Sequence, residues 1–177
     1  MKIVFLVGIL DFSYKLPLWR RLETEFRVYF PHATYVLERE FYSPFQKEKI
    51  LAYGKRILDT HDTGEEILLV GHSMGGVLAD AIAPRFTKSR VRGIVTIFSP
   101  HEYRDSEFAR MLGTSTSSIP LVSFAAAWDL VVPSGARHAR ALEHRVLRTD
   151  HTYGLIFSSR WAKEIAEVAA KHFSGPG

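Results

Sequence analysis

Cysteine is absent from the 177 residues of the chain. No disulfide framework, thiolate nucleophile or cysteine-based metal site can therefore form. Long apolar runs are also missing, and no stretch approaches the ~20 residues of a membrane-spanning helix. The opening Met1-Lys2-Ile-Val-Phe-Leu-Val is basic and then apolar, as a secretion signal would be. Asp11 ends the run, however, and no small-residue cleavage pattern comes after it. A buried first strand and a cytoplasmic protein without membrane insertion are the expectation. Dense basic runs are lacking as well: the net charge is +4, but basic pairs occur only at Arg20-Arg21 and Lys55-Arg56. Nucleic acid is accordingly not an expected partner. There is no internal repeat, low-complexity stretch or internal linker, so residues 1–173 are read as one domain and 174–177 as a flexible tail. Oligomeric state is left open.

The residues that are present alternate in character. Residues 3–7 form a continuous apolar run, the mark of a strand covered on both faces. Pro17 sits where a first helical turn tolerates it, and Leu18, Trp19, Leu22 and Phe26 come next at helical spacing. Residues 27–30 and 34–37 flank Pro31 and place a short strand nearby. Residues 45–58 read as a helix, 67–70 as a strand, and Val77, Leu78, Ala81, Ile82 and Phe86 as a helical stripe. Strands are expected at 93–98, 121–125 and 145–147, a short helix or ordered loop at 102–112, and a last helix at 159–173. The pattern predicts an α/β fold, with a mostly parallel sheet of about six strands and helices on both faces. In such sheets ligands bind beyond the carboxyl ends of the strands.

Functional residues are therefore expected just after each strand. Beyond 67–70 lies Gly71-His72-Ser73-Met74-Gly75, a G-x-S-x-G between strand and helix. This is the pattern of a nucleophile elbow, in which a tight turn lifts the serine hydroxyl above the sheet at a helix N-terminus. The same residues could also make a plain glycine-rich turn. A serine needs a base, and His151, after the last strand, is the first choice. His101 also lies just after a strand and is its rival, while His72 is expected to point away from the nucleophile. Asp129, after the strand at 121–125, is the first choice to orient the histidine. It could equally serve as a turn-forming aspartate. Asp150 ranks second and Asp105 third.

The order Ser73, Asp129, His151 is that of an α/β-hydrolase triad. The chain resembles α/β-hydrolases of the lipase and esterase kind, in "GHSMGG" (71–76), "AAAWDLVVP" (125–133) and "DHTYGL" (150–155). The resemblance spans nearly the whole chain. It implies a three-layer sandwich and a serine hydrolase that cleaves carboxylic esters through an acyl-enzyme, with a small acyl ester as substrate and no metal or organic cofactor. The same triad would serve a thioesterase, amidase or peptidase, and the fold could also belong to a binding or regulatory protein with little turnover. It further implies an oxyanion hole made by the backbone N–H groups of Met74 and of Ile9, the latter where the family carries His-Gly and this chain has Val7-Gly8. Leu130 and Val131 head the candidates for an apolar substrate pocket, with Leu10, Phe12 and Tyr153 beside them. Only residues 99–120 fill the gap where larger members insert a lid, so the chain resembles small lidless members.

Overall fold

Six strands, all paired in parallel, lie in the order β2-β1-β3-β4-β5-β6. They are β1 (Lys2–Leu6), β2 (Thr34–Glu38), β3 (Glu66–His72), β4 (Arg90–Ile97), β5 (Leu121–Ala126) and β6 (Glu143–Leu147). The helices are α1 (Leu16–Tyr29), α2 (Lys47–His61), α3 (Met74–Ile82), α4 (Tyr153–Phe157) and α5 (Ser159–Phe173). The computed structural model describes residues 1–8, 16–40, 46–101, 118–132 and 137–175. The expected segment 102–112, with Asp105, lies outside the described residues, as does Phe45 at the start of the second expected helix.

The inner strands are largely apolar on both sides because both sides are covered. Ile3, Phe5 and Val7 pack with Leu18, Trp19, Leu22 and Phe26 of α1 and with the apolar stripe of α5. Their alternates Val4 and Leu6 pack on the other face with Ile50, Tyr53 and Ile57 of α2 and with Leu78, Ala79 and Ile82 of α3. Strand side chains alternate between faces, so each run of consecutive apolar residues feeds two cores.

The elements differ from expectation mainly at their edges. Residues 27–29 complete α1 and belong to no strand. Their apolar members sit on a helix whose burial is set by Leu18, Trp19, Leu22 and Phe26. β6 begins two residues earlier than its apolar part, because Glu143 and His144 are held by backbone pairing to Val122 and Ser123 of β5. At the C-terminus, the Ser174 hydroxyl donates to the Ala170 carbonyl at 2.6 Å, and the Gly175 carbonyl accepts from Arg92.

The strand order places the site. From β1 the chain moves outward to β2, then crosses back over β1 to β3 and continues in the opposite direction. The reversal leaves a crevice beyond the carboxyl ends of β1 and β3, where ligands of open α/β sheets bind. Gly8 and Ser73 stand at that point.

Candidate active site

Ser73 connects β3 directly to α3, with no loop residue to spare. Its backbone is at φ 55°, ψ −130°, a conformation rare for a residue with a side chain. Strain of this kind persists only where the surroundings fix it. Here the Ser73 N–H donates to the Ile97 carbonyl at 2.8 Å, and the Gly76 N–H donates to the Ser73 carbonyl at 3.0 Å. The flanking glycines permit the turn by close approach: a Cβ on Gly75 would overlap the Leu6 carbonyl oxygen, and one on Gly71 would overlap the Gly75 backbone. The elbow therefore rests on the end of β1. Phe98, just after β4, is the other non-glycine residue with positive φ among the described residues, at 50°.

Asp129 and His151 come together from the loops after β5 and β6. His151 Nδ1–H donates to Asp129 Oδ2 at 2.7 Å. The carboxylate is buried, with its side chain 1% exposed. Asp129 Oδ1 accepts the N–H groups of Val131 at 2.8 Å and Val132 at 2.7 Å. One oxygen thus faces the histidine and the other closes the turn. With Nδ1 committed as a donor, the neutral imidazole carries its lone pair on Nε2, the arrangement a general base requires.

His72 packs against the histidine loop. It is buried, and its Nε2–H donates to the His151 carbonyl at 2.9 Å. Its ring lies 4.9 Å from that of His151, and Phe98 packs on both rings, at 6.0 and 6.1 Å. Sequence reading could not find this contact, because it joins the end of β3 to the loop after β6, far apart in the chain. The elbow thereby holds the histidine loop from below. Among the described residues no hydrogen bond joins Ser73 Oγ to His151, a link that is often long until substrate is bound.

The rivals are occupied elsewhere. His101 is buried against His138, with rings 4.6 Å apart, and His138 Nε2–H donates to Asp80 at 3.2 Å. His61 bonds Glu38, His144 bonds Ser123, and His172 bonds Glu143. Asp150 turns its Oδ1 to the N–H groups of Thr152, Tyr153 and Gly154, where it caps α4.

Met74 is the first residue of α3, and the leading N–H groups of a helix lack intrahelical acceptors. Ile9, Leu10 and Phe12 lie outside the described residues. Gly8 is described and abuts the serine: a Cβ there would lie 2.9 Å from Ser73 Cβ and 3.4 Å from Ser73 Oγ. Leu130, Val131 and Tyr153 line one groove with Trp128, Asp150 and His151, about 360 Å³ in volume. Among the described residues no cluster of side chains is suited to a metal ion, and no helix is long and apolar enough to cross a membrane.

A model of the family described as PGAP1-like alpha/beta domain matches residues 39–121. No curated protein matches the sequence. Solved structures match across nearly the full length. The chain is similar to tomato methylketone synthase I, solved as an H243A variant with β-ketoheptanoate, at 10% identity over 97% of both chains with a TM-score of 0.68. It is similar to polyneuridine aldehyde esterase at 11% identity over 95% of this chain and 98% of that one, with a TM-score of 0.63. An esterase from Pyrobaculum calidifontis matches at 17% identity over 98% of this chain and 76% of that one, with a TM-score of 0.59. The mostly parallel sheet and its helices form the α/β-hydrolase fold, as the sequence resemblance implied.

Proposed function

We propose that this α/β-hydrolase-fold protein is a serine hydrolase that cleaves carboxylic esters. The observation that carries the reading is the 2.7 Å bond from His151 Nδ1 to the buried Asp129, together with a serine held in a strained strand-to-helix turn. Fold alone would not carry it, since one fold hosts many functions.

Ser73 Oγ attacks the carbonyl carbon while its proton passes to His151 Nε2. Asp129 stabilises the imidazolium that results and holds its orientation. The Met74 N–H, at the start of α3, meets the negative charge on the carbonyl oxygen, and Ile9 is the proposed second donor. The tetrahedral intermediate collapses, the carbon–oxygen bond to the alcohol breaks, and the Nε2 proton goes to the departing oxygen. Water then attacks the acyl carbon, gives a proton to His151, and the acid leaves as Ser73 Oγ regains its hydrogen. Similarity to structures named as esterases supports oxygen esters, ahead of thioesters and amides, as the substrate class of this reading.

The test is a fluorophosphonate, which phosphonylates activated serines, with intact mass and peptide mapping as the readout. One adduct on the Ser73 peptide, lost in His151→Ala, is expected. A folded protein that forms no adduct would overturn the reading, and a panel of matched esters, thioesters and amides ranks the acyl class.

A further inference from the structure

The two halves of an ester leave its reacting bond in different directions. The acyl group stays on Ser73. The alcohol oxygen has to face His151 Nε2, because that atom returns the proton. A cavity beside His151 and away from the serine is therefore placed for the alcohol.

The 360 Å³ groove meets that condition. His151 is in its wall, whereas Ser73, Gly8 and Met74 are not among its described lining residues. One wall is the loop after β5, with Trp128, Leu130 and Val131, and the other is the turn after β6, with Asp150, Thr152 and Tyr153. The volume falls within the range of small-molecule sites. The walls are apolar and uncovered: Leu130 is 95% exposed, and Trp128, Val131 and Tyr153 are exposed beside it. Isolated apolar side chains on a surface are ordinary, but contiguous ones mark a binding site. Tyr153 also stacks on the exposed Phe157, with ring centroids 6.3 Å apart at 8°, which extends the apolar surface along α4. The one acidic group among the described residues of the wall is Asp150. Its Oδ1 is taken up by backbone N–H groups, and the carboxylate disfavours an anionic occupant.

Resting on the hydrolase reading, we infer that this groove is a leaving-group site and that it selects esters of neutral, apolar alcohols, of medium alkyl or arylalkyl size. The bound chain lies against Leu130, Val131 and Tyr153 while its oxygen takes the proton from His151. Binding there accelerates acylation, the step in which the alcohol departs, and leaves hydrolysis of the acyl-enzyme unchanged.

Two ester series test this. In one the acyl group is butyryl and the alcohol runs from methyl through butyl and hexyl to 2-phenylethyl, with carboxymethyl as the anionic probe. In the other the alcohol is methyl and the acyl chain grows over the same range. Burial of a methylene corresponds to a factor of about three to four, so kcat/KM rises by about that factor per methylene along the alcohol series until the groove is filled. It rises less along the acyl series, and the carboxymethyl ester is at least about tenfold poorer than its neutral counterpart. Leu130→Ser and Val131→Ser flatten the alcohol series and leave the slope of the acyl series in place. Val28→Ser, on α1 and about as exposed as Val131, changes neither slope. A flat alcohol series beside a steep acyl series overturns the inference while the hydrolase reading stands. No turnover of any ester together with no phosphonate adduct on Ser73 overturns both.

Discussion

His72 Nε2–H reaches across from β3 and donates to the backbone carbonyl of His151 at 2.9 Å. The residue before the proposed nucleophile thus holds the residue proposed as its base, and the two share the same buried ring cluster with Phe98. A net hydrogen bond is worth ~1 kcal/mol, but a small misplacement of a catalytic group costs up to about 10²-fold in rate. His72→Leu should lower kcat by about 10- to 100-fold with little change in KM. His72→Gln, which keeps an N–H donor, should recover much of the loss. Equal losses in both variants would show that the ring's packing matters and the bond does not.

The divided use of the Asp129 carboxylate separates two variants. Asp129→Asn keeps an acceptor for the Val131 and Val132 N–H groups but loses the charge facing His151. Its kcat should fall by about 10³- to 10⁴-fold with little change in thermal midpoint. Asp129→Ala removes both functions and should also lose ~1–3 kcal/mol of stability through unsatisfied buried donors. Kinetics and thermal melts on the same preparations check both statements.

Gly8 is predicted to be intolerant of even one methyl group. A Cβ there would sit 2.9 Å from Ser73 Cβ and 3.0 Å from the His72 carbonyl oxygen. Both belong to the strained elbow and have little room to shift. Gly8→Ala should therefore reduce the rate of fluorophosphonate labelling by about tenfold or more, while the far-UV spectrum of the fold is retained. Labelling at the native rate would show that the end of β1 can yield.

Asp80 is a secluded carboxylate outside the site, with its side chain 2% exposed between Arg140 and His138. It ties α3, which starts at the nucleophile, to the segment leading into β6. Removing one partner of a buried pair strands the other charge at a cost of ~3–5 kcal/mol. Arg140 is a quarter exposed, so Arg140→Leu should fall at the lower end of that range, read by urea unfolding. Asp80→Asn with Arg140→Leu should recover part of the loss.

Acid should loosen the far end of the sheet. Glu143 at the start of β6 is held down to about 2, by hydrogen bonds from Lys171 and His172 of α5 and then Arg145, with burial opposing them. A carboxyl whose pKa is lower folded than unfolded contributes stability above its unfolded pKa of ~4.5 and loses it as pH falls toward ~2. The difference in melting temperature between the protein and Glu143→Gln should thus be constant above about pH 5 and shrink toward zero near about pH 2. A difference independent of pH would show that the role is not electrostatic.

The centre of the sheet was legible in the sequence because its inner strands are covered on both sides. Residues 3–7, 67–70 and 121–125 are largely apolar runs, and such runs have few other uses. The stripe of α1 was legible for a related reason, since Leu18, Trp19, Leu22 and Phe26 all enter one core. Glu143 and His144 were not legible as strand, because edge pairing to β5 holds them and that pairing leaves no apolar pattern. Ser73, Asp129 and His151 could be singled out as candidates because they stand at strand ends and in a telling chain order. The ring cluster of His72, Phe98 and His151 could not, since it joins the ends of three strands by contacts that depend on register. Nor could the capping role of Asp150, which competed with Asp129 until the hydrogen bonds of each carboxylate were known.

The loop after β5 does two things with different parts of the same residues. The N–H groups of Val131 and Val132 clasp the Asp129 carboxylate, while the side chains of Leu130 and Val131 stand outward in the groove wall. Main-chain donors are common to every amino acid except proline. Mutation can therefore re-line that wall at Leu130 and Val131 while the grip on the acid stays intact. Under the hydrolase reading, this gives the protein a route by which substrate preference can drift over evolutionary time, with the proposed triad carried along unaltered.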